Sequence, residues 1–154
     1  MTQGSDADDD ATLLAALDTT RTEAWLTLVA LDRDFRDRPH ADDDCVWSSV
    51  PNYGARVEAA CRRLAEVGAV TPKYRWTREE PPTRGADGRL EPADAVRLAT
   101  AIIRSERFGY GQIERAVNEG GLQAVIASLS SWYRGRGETY FRGEGDGEDG
   151  VGGG

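Results

Sequence analysis

The chain has 154 residues and a mass of 16.8 kDa, the size of one domain. Charged residues make up 30% and hydrophobic residues 39%, with a formal net charge of −8; this allows one core and excludes a uniformly basic nucleic-acid coat. No apolar run approaches the roughly 18 residues that cross a membrane, the acidic start Met1–Asp10 is unlike a secretory leader, and two cysteines make no disulfide framework. A cytoplasmic protein with no membrane partner is expected.

Residues 1–20 read as an acidic, largely disordered arm, with a short helix over Thr12–Asp18 that puts Leu13, Leu14 and Leu17 on one side. A helical domain is expected over residues 21–134. Its first helix, Thr22–Arg36, has Thr22 as its cap and Trp25, Leu28, Leu31 and Phe35 at helical spacing. Asp37–Pro51 reads as a loop. Tyr53–Val67 is the next helix, with Tyr53, Val57, Cys61 and Leu64 on one stripe and Gly68 placed to close it in a left-handed conformation. Residues 69–76, interrupted by Pro72, hold at most one short edge strand, and Thr77–Leu90, with Pro81-Pro82 and Asp87-Gly88, is a loop.

Pro92 suits a helical first turn and opens a helix that Gly109 stops after Phe108. A short helix over Gln112–Asn118 leads into Gly120-Gly121. Leu122–Arg134 follows, with Leu122, Val125, Ile126, Leu129, Trp132 and Tyr133 on one face. Residues 135–154 read as a Gly- and acid-rich disordered tail. The fold class is mainly α: a compact bundle of four or five helices around one core.

The net charge is unevenly spread. Residues 1–55 hold twelve acids and four arginines, residues 56–142 fifteen bases and eleven acids, and residues 143–154 four acids and no base. A modestly basic body thus sits between acidic ends. Arginine supplies eighteen of the nineteen bases, a bias that a GC-rich genome or a salt-adapted cytoplasm would produce.

The positions Tyr53, Val57, Leu64, Gly68, Val70 and Trp76, and then the run Leu98–Phe108 followed by Gly111, Gly120 and the closing apolar helix, carry a family resemblance. The chain resembles a small bacterial and archaeal domain of unknown function, number six-five-zero-eight in that series, over about residues 51–132. Its specific motif is an Arg, small, acid, Arg, Phe block, here Arg104-Ser105-Glu106-Arg107-Phe108. In the family an acid and a glycine follow; here Tyr110 stands in place of the acid. The resemblance implies a helical fold and no activity.

On the Pro92–Phe108 helix, Ala95, Ala99, Ile102 and Ile103 share a face at about 100° per residue, and Glu106 falls within it. Arg97 and Arg104 stand together on the opposite side. A carboxylate on an apolar stripe needs a partner, so Glu106 is expected in a structural ion pair with one of Arg62, Arg63, Arg75, Arg107 or Arg115. His40, Asp42, Asp43, Asp44 and Cys45 crowd one loop, yet no spacing fixes a metal geometry, and no metal or cofactor is expected. With one histidine and no nucleophile elbow a hydrolytic triad has little support. Cys61 lies on an apolar face and reads as core. Gly109-Tyr110-Gly111 lacks the third glycine and the preceding strand of a dinucleotide loop, and the tail lacks the terminal acid of a calcium loop.

The expected function is a non-enzymatic protein-interaction or regulatory module. Its binding surface is the side bearing Arg97, Arg104 and Arg107, and its partner an acidic protein or its own tails. The alternatives are a nucleic-acid binder using an arginine-bearing face that includes Arg56, Arg63, Arg97 and Arg104, and an unfamiliar hydrolase using Glu106 or the His40–Cys45 loop.

Overall fold

The fold was obtained as a computed structural model, which describes the backbone of residues 2–85 and 87–148 and the side chains of residues 9–85 and 87–136. Among these residues the chain is mainly helical, with six α-helices: α1 (Thr2–Ala15), α2 (Thr22–Asp37), α3 (Ala55–Glu66), α4 (Pro92–Ser105), α5 (Gln112–Glu119) and α6 (Gly121–Glu148). That is one or two more than the four or five expected. Met1 and residues 149–154, parts of the arm and tail read as disordered, lie outside the described residues, as do the side chains of the rest of the tail from Gly137.

The amphipathic stripes meet in one core. Trp25, Leu28, Leu64, Leu122, Ile126 and Leu129 are its largest fully buried side chains. Trp25 of α2 stacks on Tyr133 of α6 at 4.7 Å and leans on Trp132 at 5.6 Å, while its indole N–H donates to the Asp18 carbonyl at 2.9 Å. Leu13 and Leu17, assigned by sequence to the N-terminal arm, are buried in this same core. Asp10 reinforces the docking of α1 by pairing with Arg97 of α4 at 2.6 Å.

Helix ends depart from expectation for local reasons. Thr22 does not cap α2: the cap position belongs to Arg21, with no side-chain cap. The Asp18 carboxylate organises the approach instead, accepting from the Thr20 amide and hydroxyl. Those bonds hold its pKa below the usual carboxylate value. Helix α4 stops at Ser105 rather than Phe108, because the Arg107 and Phe108 amides bond back to the Arg104 and Ser105 carbonyls in tighter turns. Gly68 adopts φ 88°, and a Cβ there would sit 2.5 Å from the Ala16 carbonyl oxygen. Both the left-handed backbone and the approach of α1 therefore require glycine.

The edge strand considered for residues 69–76 is not formed. The segment's polar backbone is satisfied by a helix instead: the Thr71 amide donates to Thr100 Oγ1 and the Thr100 hydroxyl donates to the Ala69 carbonyl, at 3.1 and 3.0 Å. Pro72 has no amide to give a sheet. Strand β1 (Cys45–Trp47) lies in the stretch expected to be loop, and β2 (Pro51–Tyr53) takes Tyr53 from the expected start of the next helix, so that α3 begins at Ala55. The two strands pair antiparallel, with Cys45 opposite Tyr53 and Trp47 opposite Pro51.

This hairpin is anchored at its base by Asp44. The carboxylate is buried, with side-chain exposure of 8%, and accepts two bonds at 2.8 Å from Arg56 of α3, itself 10% exposed. Arg56 also reaches Asp34 of α2 at 3.2 Å and lies over the Phe35 ring at 4.0 Å. One guanidinium therefore ties α2, α3 and the hairpin together. No helix among the described residues is long and apolar enough to cross a membrane.

Candidate docking surface at the turn between α4 and α5

The turn between α4 and α5 is built around Glu106. Helix α5 begins after Gly111, which has φ 100° and no side chain to cap the first amides. Glu106 supplies the missing acceptor: Oε1 accepts from the Ile113 amide at 2.9 Å, and Oε2 from the Gly111 amide at 3.2 Å. Oε2 also accepts the Tyr53 hydroxyl from β2, at 2.8 Å. A carboxylate at a helix N-terminus is favoured by both the free amides and the helix dipole. The arginine partner expected from sequence is absent among the described residues. The chain folds back within seven residues, so the next helix's amides reach Glu106 first.

Burial first, and then the hydrogen bond to Glu106, raise the Tyr53 pKa well above its ordinary value, so the phenol stays a donor. Burial, with the Glu106 charge added, pushes the Cys61 thiol up to about 12, in keeping with the apolar packing expected of it. Cys45 is raised too, by burial and then by Glu114. Both cysteines are free.

Around this clasp the molecule exposes apolar side chains. Phe108 is 80% exposed, Tyr110 63%, Val46 54% and Trp47 46%. Phe108 meets Trp76 at 5.8 Å on one side of the turn. On the other, the Trp47 indole donates to Glu114 of α5 at 2.9 Å, and its ring lies 3.6 Å from where a Gly111 Cβ would be. Val46, Trp47 and Val50 come from a hairpin the sequence reading treated as loop, so this half of the surface was missed. The available signal was weak: Val46-Trp47 is a short β-favouring pair between Cys45 and Ser48.

The arginines proposed from sequence are separated by their partners. Arg97 bonds Asp94 at 2.8 Å and Asp10 at 2.6 Å, Arg56 bonds Asp34 and Asp44, and Arg63 bonds Glu66 at 2.8 Å. Arg97 and Arg104 therefore do not form one free patch. Arg104 and Arg107 meet no carboxylate within 4 Å among the described residues, and both belong to the segment leading into the turn. The acidic loop holds no group of three or more metal-ligating side chains among the described residues; Asp44 is occupied by Arg56, and His40 is exposed.

A family of unknown function (DUF6508) matches residues 11–135. The chain belongs to that family. The DUF6508 match reaches back into α1, in agreement with the burial of Leu13 and Leu17. It also contains the Arg104–Phe108 block, whose glutamate closes the turn and whose phenylalanine stands on the surface. No curated protein and no solved structure matches the chain.

Proposed function

We propose that this DUF6508 chain is a cytoplasmic, non-enzymatic docking module, and that the turn between α4 and α5, with the adjoining hairpin, receives an acidic segment of a partner protein that carries a large apolar residue. The observation that carries this reading is that four of the five large apolar side chains more than 40% exposed, Val46, Trp47, Phe108 and Tyr110, lie on the hairpin and the turn, the fifth being Leu26 on α2. Exposed apolar groups gathered in this way are characteristic of interaction sites. Charge complementarity selects the partner: Arg104 and Arg107 border the surface with no carboxylate to neutralise them. In this reading residues 11–135, the span of the family match, form the domain body, and the acidic ends flank it.

Glu106 gives a hydrolase little to work with, since both its oxygens are engaged in holding the turn. Nucleic-acid binding draws less support than protein docking, because Arg56, Arg63 and Arg97 each spend their charge on a carboxylate.

A peptide-library selection on the full chain tests the proposal. Wild type is expected to enrich sequences with Asp or Glu beside a large apolar residue, and Phe108→Ser with Trp47→Ser is expected to lose that enrichment. No enrichment by wild type, or equal enrichment by the variant, refutes it.

A further inference from the structure

Beside the turn lies a cleft of about 410 Å³ lined by Pro72, Tyr74, Arg75, Trp76, Thr77, Arg78 and Arg104. Seven of the described arginines, at 21, 36, 38, 56, 63, 97 and 115, each meet a carboxylate, and the cleft gathers three that do not. Arg75, Arg78 and Arg104 meet none within 4 Å and donate no side-chain hydrogen bond among the described residues. No acid lines the cleft; Glu79 and Glu80 follow Arg78 but do not reach its wall.

Arg104 adds a second observation. Its Nε, like that of Arg63, is buried from solvent and has no hydrogen-bond partner among the described residues. A buried charged donor without an acceptor costs free energy, which an acceptor reaching it would recover. Three guanidiniums around one space offer planar forks of donors, the geometry that suits a tetrahedral oxyanion carrying two charges. The volume exceeds what the anion alone fills, and Trp76 and Tyr74 form an aromatic wall for whatever bears it.

We propose that this cleft binds a phosphoryl group, held by Arg75, Arg78 and Arg104, with Trp76 beside the group that carries it. The inference stands whether or not a polypeptide docks on the neighbouring turn, because small ions test it. The probes are inorganic phosphate and phenyl phosphate, titrated into the full chain at constant ionic strength and followed through the Arg Nε–Hε signals in NMR. Both are expected to move the Arg104 Nε–Hε resonance saturably, with phenyl phosphate binding the tighter. Arg104→Gln and, separately, Arg78→Gln are expected to weaken binding about tenfold or more. Arg78 is an exposed loop residue, so its variant keeps the test valid if Arg104→Gln fails to fold. No saturable shift at millimolar phosphate, an equal response to chloride, or unchanged binding in Arg78→Gln overturns the proposal.

Discussion

Replacing Glu106 with alanine removes three accepted hydrogen bonds at once. The Tyr53 hydroxyl, in a half-buried site, loses its acceptor, and leaving such a donor unsatisfied costs about 1–3 kcal/mol. The Ile113 amide, bonded at 2.9 Å, loses what amounts to an N-cap, worth about 0.5–2 kcal/mol. The Gly111 bond is longer, at 3.2 Å, and its amide lies in a turn that water can reach, so it adds little. Together these give a loss of about 2–4 kcal/mol, and at about 3 °C per kcal/mol for a chain of this size a fall in Tm of about 6–12 °C. Glu106→Gln retains one acceptor oxygen and is expected to lose about half as much. Tyr53→Phe alone is expected to cost about 1 kcal/mol. In the double variant with Glu106→Ala the two losses are expected to fall short of additivity by about 1 kcal/mol, since the two groups share one bond. Thermal unfolding followed by circular dichroism, with urea titration alongside, measures each value. A Glu106→Ala protein within 0.5 kcal/mol of wild type would refute the role of Glu106 as the clasp of the turn.

Other consequences can be measured on the same preparations. Gly68→Ala meets both φ 88° and the Ala16 carbonyl and is expected to cost about 2–4 kcal/mol. Gly88→Ala, at φ 81° with no described atom within 4 Å of the added carbon, is expected to cost only the backbone strain, about 1–2 kcal/mol; equal losses would contradict the close approach of the Ala16 carbonyl to Gly68. Arg56→Met leaves Asp44 buried and unpaired and is expected to cost about 3–5 kcal/mol in urea unfolding at neutral pH. Burial by itself raises the Asp44 pKa, but the bonds from Arg56 and the Ala41 amide outweigh it, and the Arg56 bond leads in lowering Asp34. Folding stability from these depressed carboxylates is full above the unfolded value near about 3.9 and is lost as pH falls through the lower folded values. Denaturation midpoints between pH 5 and pH 2 should accordingly fall less steeply in Arg56→Met than in wild type. The Cys61 thiol, pushed up to about 12, should resist iodoacetamide at pH 8 in the native state while Cys45 is modified first, as mass spectrometry of timed samples will show.

The helices were legible because each has a stripe that only one period explains. Trp25, Leu28, Leu31 and Phe35 fix α2, and Leu122, Val125, Ile126 and Leu129 fix α6, whatever else the chain does. Their ends were less legible, since they depend on partners distant in sequence. Nothing near Thr22 announces that Asp18 will take the ordering role, and the end of α4 depends on a glutamate turning toward amides seven residues on. The hairpin escaped notice because its strands are three residues long, are largely exposed and contain Pro51, so neither alternation nor length distinguished them from a loop. The turn was legible only in part. Arg104, Glu106 and Phe108 were visible as a block on the chain, and Gly111 as a turn. A helix that opens after glycine with no Ser, Thr, Asp or Asn to cap it was itself a sign that an acid elsewhere would serve, and that sign points to Glu106 without an arginine. Tyr53 and Trp47 were out of reach, because they arrive at the turn from 53 and 67 residues away.

The central claim, that the Glu106-held turn and its hairpin form the docking face, is tested most directly by mapping amide chemical shifts in the full chain with a peptide enriched from the library. Shifts are expected to concentrate at residues 46–50, 74–78 and 104–111 and to be abolished in the Phe108→Ser, Trp47→Ser protein. Shifts centred instead on the separate cleft lined by Arg36, Leu90 and Trp132, or shifts that survive in the variant, would contradict it.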